Sequence, residues 1–383
     1  MNDINTLSKP RVTSVDILRG LLMVIMALDH VRDYFHSTAF VFDSTDLSKT
    51  TPILFFTRWI THFCAPGFVF LSGLSIFLSL QRKTKREASV FLLTRGLWLV
   101  VVEIVIMRFA LLFNFYFDVT IFGIIGVIGA CMIFMAGLLH LHARWLLALG
   151  VIILSGYPFV PIPILTSVGF ISLAPNHALI ISYPVLPWLA IMMLGYCAGK
   201  FYNKTSSQLR VKWLLGTGVA TVALFFVLRW INLFGDSAPW SVQSTSLFTL
   251  LSFMNVTKYP VSLLFSMITL GVVLIMLGLL EQAPTKRSSV LMVFGRVPLF
   301  YFILHFFIIH TVALILFIIT TGKTWAEMDF HFDKSFGGIT PEGGFSLAWV
   351  YVFWIMLVLV LYPICKAYDR YKSAHTYKWL SYL

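Results

Sequence analysis

Charge is scarce in this sequence of 383 residues. Only 11% of its residues are Asp, Glu, Lys or Arg, whereas 59% are hydrophobic and 16% are aromatic. Soluble domains of average composition carry roughly 25% charged residues, so the composition excludes an ordinary soluble fold. Because long apolar runs recur along the whole chain, we expect a single membrane domain that covers residues 1–383.

The sequence also lacks the spacings of several common kinds of site. Its four cysteines stand far apart in apolar context, which predicts reduced, packed thiols and no metal site. Walker, dinucleotide-binding, zinc and metalloprotease spacings are missing. The net charge of +12 does not indicate nucleic acid, because the basic residues lie in short segments between apolar runs, where membrane topology places them.

Ten apolar segments are long enough for a transmembrane helix, which needs roughly 20 residues. We therefore predict an all-α fold, a polytopic membrane helix bundle with about ten transmembrane helices. The predicted spans are 14–33, 54–80, 90–113, 119–139, 145–162, 180–200, 212–233, 258–280, 297–320 and 347–367.

Lys and Arg are concentrated in alternate connections between these spans. The basic clusters lie around positions 9–11, 82–86, 144, 200–212, 286–287 and 366–378. Strictly alternating spans put all of these clusters on one side of the membrane. The positive-inside rule then predicts that both termini are cytoplasmic, with residues 1–13 and 369–383 as cytoplasmic tails.

The first predicted span carries ionisable residues that a lipid-facing helix would not tolerate. At about 100° per residue, one stripe of this helix contains Asp16, Arg19, Met23, Met26 and His30. Asp29 and Asp33 stand close to His30 and could fix its tautomer and raise its basicity. Two readings stay open: a functional stripe inside the bundle, or an Asp16–Arg19 ion pair at the inner end with His30 capping the outer end.

Two other spans contain similar residues. Arg58 and His62 are four positions apart on one face of the second span, and the following Cys64-Ala65-Pro66-Gly67 segment predicts a kink near His62. In the third span Glu103 and Arg108 would each need the other, or a neighbour, as a partner.

The ionisable residues are ordered by depth. Arg19 and Arg95 lie near the predicted cytoplasmic face and His305 near the middle of the ninth span. His30 and His62 lie in the outer half. Such a column fits either a transporter or proton-coupled carrier, or an enzyme whose two substrates arrive from opposite sides.

Five segments resemble, in the same order, motifs of a known family. They are residues 14–20 (SVDILRG), 61–73 (THFCAPGFVFLSG), 183–189 (YPVLPWL), 257–260 (TKYP) and 295–300 (GRVPLF). Together they resemble the bacterial branch of the heparan-alpha-glucosaminide N-acetyltransferase catalytic-domain family, within the transmembrane acyltransferase superfamily. The resemblance implies a multi-pass protein of the bacterial inner membrane that moves an acetyl group from cytoplasmic acetyl-CoA to an extracytoplasmic acceptor. That acceptor would be an amino sugar, a glycan or another cell-envelope hydroxyl or amine.

The resemblance also implies a catalytic histidine, acting as a general base or as an acetyl carrier. The candidates are His30, then His62, then His36, with Asp29 beside His30. The lysosomal relatives have asparagine at the position of His30 and their catalytic histidine just beyond the first span, where His36 lies in this chain. The superfamily as a whole favours the first-helix position of His30.

The remaining candidate residues would bind the two substrates. Those for the CoA phosphates are Arg19, Arg95, Lys85 and Arg86. Those for the acceptor are Arg58, Glu103, Lys258, Tyr301 and His305. The expected partners are the lipid bilayer, acetyl-CoA and the acceptor glycan or amino sugar, with no metal; a homo-oligomer is left open, and the carrier remains the alternative function.

Overall fold

The structure, a computed structural model, describes residues 12–39, 41–81, 83–175, 177–282, 289–377 and 380. The basic segments at 9–11 and 286–287, used for the topology prediction, lie outside these residues, as does Arg82. Most of the tail predicted for residues 1–13 and part of that predicted for 369–383 also lie outside them.

The described chain is mainly helical, which confirms the all-α fold class. Residues Val102–Met107 form a π-helical segment that joins two of the helices. In chain order the helices are α1 Thr13–Phe35, α2 Pro52–Thr61, α3 Cys64–Ser79, α4 Lys85–Val101, α5 Arg108–Leu112, α6 Ile124–Leu138, α7 Ala143–Gly156, α8 Pro163–Thr166, α9 Val185–Lys204, α10 Ser207–Ile231, α11 Ser246–Met254, α12 Leu263–Leu280, α13 Ser289–Arg296, α14 Pro298–Thr321 and α15 Leu347–Ala374.

Seven helical segments of the described chain are long and apolar enough to cross a membrane. They are Pro52–Ser79, Lys85–Leu112, Val185–Tyr202, Ser207–Ile231, Leu263–Leu280, Pro298–Thr321 and Leu347–Ala374. Two more predicted spans correspond to the shorter apolar helices Ile124–Leu138 and Ala143–Phe159. The first predicted span is α1, whose 23 residues extend roughly 35 Å, enough for a hydrocarbon core of about 30 Å. The total of ten and the side of the termini stay predictions.

The second span is broken where the sequence predicts a kink. Helix α2 ends at Thr61, His62 stands at the break, and α3 begins at Cys64. Pro66 lies in the first turn of α3, where its missing N–H costs no helical hydrogen bond. The His62 side chain is buried at this break.

Three predicted spans begin too early, because apolar strands and turns precede their helices. Residues Val119–Phe122 form strand β1, Gly169–Ala174 form β2 and His177–Ile181 form β3. The sheet has the order β1-β3-β2, with β1 parallel and β2 antiparallel to β3. Hydropathy alone cannot distinguish a short run of Val, Ile and Phe in a strand from the start of a helix. The predicted starts at 119, 180 and 258 were therefore wrong, since α6, α9 and α12 begin at Ile124, Val185 and Leu263.

Glycine sets the approach of α3 and α9, the helix pair with the most extensive contact. A Cβ at Gly73 would collide with the carbonyl oxygen of Met192, and a Cβ at Gly195 with that of Phe70. Small residues of this kind let membrane helices approach until their backbones touch. The two helices therefore pack backbone against backbone.

We expect Gly195→Val to destabilise the protein by roughly 1–3 kcal/mol or more, because neither backbone can move without separating the two helices. The midpoint of thermal aggregation, followed by size exclusion in detergent, measures the effect. Gly137→Val is the matched control, since no atom lies within 4 Å of a Cβ at that position of α6. Equal midpoints for the two variants would contradict the tight contact.

Candidate functional site

A cavity of about 340 Å³ lies near the C-terminal end of α1, on the predicted outer side of the bundle. We call it the His30 cavity. Its polar lining residues are Asp29, His30, Asp33, Tyr34, Thr61, Glu103, Ser182, Tyr183, Lys258 and Tyr259. Ile121 of β1 and Ser182, next to β3, belong to this lining, so the small sheet forms part of the rim. Met26 and Phe68 extend the cavity toward the middle of the bundle.

A second cavity of about 230 Å³, the His62 cavity, adjoins the first. Arg58 and His62 line it, as the shared helical face of these residues suggested. Lys258 and Tyr259 line both cavities and thus form the wall between them.

Asp29 is the centre of an ion-pair cluster between α1 and α2. Arg58 donates a hydrogen bond to one oxygen of the Asp29 carboxylate, and the Arg32 guanidinium lies 3.0 Å from the other. Arg32 also donates to Asp33. Because two guanidinium groups hold the Asp29 carboxylate, this residue fits a structural and electrostatic role better than a role as proton acceptor.

His30 is the histidine that lines the larger cavity. Its Nδ1 lies 3.9 Å from the Asp33 carboxylate, and 23% of its side chain is exposed. The ring packs against Phe306, with centroids 4.3 Å apart, and against His305 at 5.3 Å. A carboxylate on the Nδ1 side favours a proton on that nitrogen, which leaves Nε2 with the lone pair that a general base needs.

The two other candidate histidines lie elsewhere. His62 is buried, and within the described chain its Nδ1 has no hydrogen-bond partner. His36 follows α1 and is bonded through Nδ1 to the Thr38 hydroxyl at 2.8 Å. Partial burial and then the charge of Arg32 lower the pKa of the His36 imidazole, which keeps it neutral at pH 7.

The two intramembrane charges of the third span have separate partners. Glu103 lines the His30 cavity and accepts a hydrogen bond of 2.7 Å from the Gly126 N–H, in the first turn of α6. Arg108 donates to Asn114 and forms an ion pair of 3.2 Å with Asp118. Glu103 and Arg108 therefore each have a polar partner, as expected for charged residues inside the membrane. The partners are other residues, and the two are not paired with each other.

Tyr301 and His305 are fully buried on α14. The two rings stack with centroids 5.5 Å apart, and His305 Nδ1 lies 2.5 Å from the Phe302 carbonyl oxygen. Neither residue is among the lining residues of the two cavities. His305 touches the site through its contact with the His30 ring.

Residues 11–234 match the family described as heparan-alpha-glucosaminide N-acetyltransferase, catalytic. The match covers more than half of the chain. The chain belongs to this family. No curated protein matches it. Membership implies acetyl transfer by a membrane acyltransferase.

The part that matches the acetyltransferase family contains His30, Arg58, His62 and Glu103, whereas Lys258 and the candidates of α14 lie beyond it. The assignment of the motifs at 257–260 and 295–300 to the family therefore depends on their resemblance alone. In the described residues no group of three or more His, Cys, Asp or Glu side chains is placed to hold a metal ion.

The four donor-binding candidates lie on two separate parts of the bundle. Arg19 donates to Asp16 at 3.3 Å, to the Gly295 carbonyl at 3.0 Å and to the Ser75 hydroxyl at 2.7 Å, and so ties α1 to α13 and α3. The Asp16–Arg19 ion pair, which was one of the two alternatives for the polar stripe of α1, is therefore present. Arg19 also bonds to two other helices.

The other three are on α4. Arg95 is half-buried near the Phe91 ring, at 6.0 Å. Lys85 and Arg86 are exposed at the start of the helix, and Lys85 donates to the His140 carbonyl at 3.3 Å.

Sequence reasoning missed three residues of the site. Arg32 was not selected, although it lies three positions after Asp29 and therefore on the same face of α1. Tyr183 and Tyr259 stand in the motifs at 183–189 and 257–260, and their hydroxyl oxygens lie 3.3 Å apart in the wall of the His30 cavity. Each precedes a proline, and that shared feature was the available signal.

Proposed function

We propose that this protein transfers the acetyl group of cytoplasmic acetyl-CoA to an amine or hydroxyl on the extracytoplasmic side, with His30 as the general base. The observation that carries the proposal is the position of the His30 imidazole, which lines the cavity and lies 3.9 Å from the Asp33 carboxylate. Family membership supplies the type of reaction.

In the proposed reaction the acceptor nitrogen or oxygen attacks the acetyl carbonyl carbon while His30 takes its proton. A C–N or C–O bond forms, the C–S bond breaks, and the CoA thiolate leaves with the proton that the imidazolium returns. Asp33 would stabilise the imidazolium between these two proton transfers. General-base catalysis of this kind contributes roughly 10²–10⁴-fold to a rate.

The donor would bind at the cytoplasmic ends of the helices, where the exposed Lys85 and Arg86 suit the phosphates of CoA. Along α1, His30 lies eleven positions beyond Arg19, or roughly 16 Å at 1.5 Å per residue. The thioester of acetyl-CoA would therefore have to extend about that far beyond Arg19 to reach His30. Arg19 would serve the donor by fixing the packing of α1, α3 and α13 at this end.

The test uses the full chain reconstituted in liposomes, with glucosamine trapped inside and radiolabelled acetyl-CoA added outside. Protein molecules inserted with their cytoplasmic face outward can use this acetyl-CoA. From these molecules we expect free CoA outside the liposomes and labelled N-acetylglucosamine inside. His331→Ala, in an exposed loop, should not change either amount.

Three other outcomes would overturn the proposal. Labelled product on the acetyl-CoA side alone would contradict transfer across the membrane. Loss of trapped glucosamine without release of CoA would favour a carrier instead. No turnover with glucosamine, a simple alkylamine or a neutral sugar would reject acetyl transfer to this acceptor class.

A further inference from the structure

The segment Thr257–Pro260 lies between the two cavities, but neither the family match nor the proposed role of His30 accounts for it. Only 7% of Lys258 is exposed, yet the residue lines both cavities. Its ammonium lies 5.0 Å from the centre of the Tyr259 ring. A lysine this buried needs a physical reason, because removing an ammonium from water is costly.

The backbone on either side of Lys258 is held firmly. The Asp236 carboxylate accepts the Thr257 N–H at 2.9 Å, the Thr257 hydroxyl at 2.7 Å and the Ser262 hydroxyl at 2.7 Å. Buried Arg229 of α10 donates to the carbonyl oxygens of Ser252, Phe253 and Asn255. Lys258 is therefore carried by a fixed segment, as preorganised electrostatic stabilisation requires.

Within the described chain, no carboxylate lies within 4.0 Å of the Lys258 ammonium. The carboxylates that line the two cavities already have partners, and Asp33 accepts a hydrogen bond from Arg32. Asp29 is bound by Arg58 and Arg32, and Glu103 accepts the N–H at α6. Asp43, across the His62 cavity, accepts the N–H and hydroxyl of Thr45. A buried cation without a carboxylate of its own suits a negative charge that appears in the cavity.

We propose that Lys258, supported by the Tyr183–Tyr259 hydroxyl pair, stabilises the oxyanion that forms on the acetyl carbonyl during transfer. This inference rests on the proposed function. When the acceptor attacks, the carbonyl π electrons move to oxygen, and an N–H of the Lys258 ammonium donates to that oxygen. When the C–S bond breaks, the electrons return to the carbonyl and the charge on oxygen disappears. No additional reactant is needed, and His30 moves the proton.

The competing use of Lys258 is to bind a permanent anion on the acceptor. The two uses differ in kinetics. Oxyanion stabilisation acts only in the transition state, so its loss lowers kcat, whereas loss of an anchor for a fixed anion raises KM. If Lys258 stabilises the oxyanion, its substitution should affect transfer to a neutral acceptor and to an acidic acceptor equally. If Lys258 binds a permanent anion, the substitution should affect the acidic acceptor more.

The experiment compares Lys258→Met, Lys258→Arg and the control Lys334→Met, an exposed lysine of the 321–346 loop. With acetyl-CoA and glucosamine, we expect Lys258→Met to lower kcat roughly 10²–10³-fold, as for loss of an oxyanion donor, while both KM values stay within about twofold. Lys258→Arg should recover part of kcat, because its guanidinium retains the charge and the N–H donors. Lys334→Met should match the unmodified protein.

A second measurement does not depend on turnover. The infrared carbonyl stretch of bound [1-¹³C]acetyl-CoA should lie at lower frequency in the unmodified protein than in Lys258→Met, because a donor to the oxygen weakens the C=O bond. An unchanged kcat and an unchanged frequency in Lys258→Met would overturn this role and leave the acetyl transfer intact. A rise in KM for glucosamine-6-phosphate alone, with kcat unchanged, would instead assign Lys258 to anion binding. Failure of the unmodified protein to turn over at all would reject the proposed function itself.

Discussion

His30→Ala is expected to lower kcat roughly 10²–10⁴-fold, the largest effect on activity of any single histidine. The reason is that His30 combines a cavity position with an adjacent carboxylate, at 3.9 Å from Asp33. The same substitution at His36 removes a side chain bonded to Thr38 and should change kcat less than about threefold. Release of CoA with a saturating acceptor is the measurement.

Added imidazole separates a chemical role of His30 from a structural one. An imidazole that diffuses into the space left by His30→Ala should restore part of kcat, whereas it cannot repair a packing defect. His62→Ala is the strict comparison, because His62 is buried and lines the neighbouring cavity. A larger loss in His62→Ala than in His30→Ala, with rescue by imidazole only in His62→Ala, would move the general base to His62.

Asp29→Ala is expected to be the most destabilising change in the polar cluster, at roughly 3–5 kcal/mol, because it leaves Arg58 and Arg32 without the carboxylate between them. Removing one partner of a buried ion pair destabilises a protein more than replacing both partners with apolar residues, because the remaining charge stays buried without compensation. The double variant Asp29→Leu with Arg58→Leu should therefore recover most of the lost stability. Thermal midpoints of the purified protein in one detergent give the comparison.

The exposed pair Lys323–Glu342, at 2.7 Å, is the control for this prediction. Both side chains are in contact with solvent, so Glu342→Ala should cost at most about 1 kcal/mol. If Asp29→Ala and Glu342→Ala have the same midpoint, the cluster between α1 and α2 does not hold the bundle together.

Much of the helical layout follows from sequence because membrane helices must satisfy their backbone groups internally over roughly 20 apolar residues. The break at His62 followed from Pro66 and Gly67. The strands β1 and β3 did not follow, because their short apolar runs satisfy their backbones by pairing with each other, and that pairing is invisible in a local pattern.

The candidate site shows the same limit. Sequence marks Arg58 and Lys258 alike as candidates for binding the acceptor, and only the arrangement of helices distinguishes them. Arg58 meets Asp29 from α1, whereas Lys258 is carried between two cavities on a segment fixed by Asp236. Which of the two cations pairs with a carboxylate depends on contacts between residues far apart in the chain.

The three-stranded sheet bears on how the set of acceptors could change during the evolution of the family. Strands β1 and β3 join two otherwise separate connections, and their ends bring Ile121 and Ser182 to the rim of the His30 cavity. The groups proposed for the chemistry stand instead on α1 and on the segment before α12. Insertions just before β2, whose Gly169 pairs with Ile181 at this end of the sheet, could therefore reshape the entrance while the reacting groups keep their positions. Relatives could then diverge in acceptor while sharing one transfer reaction.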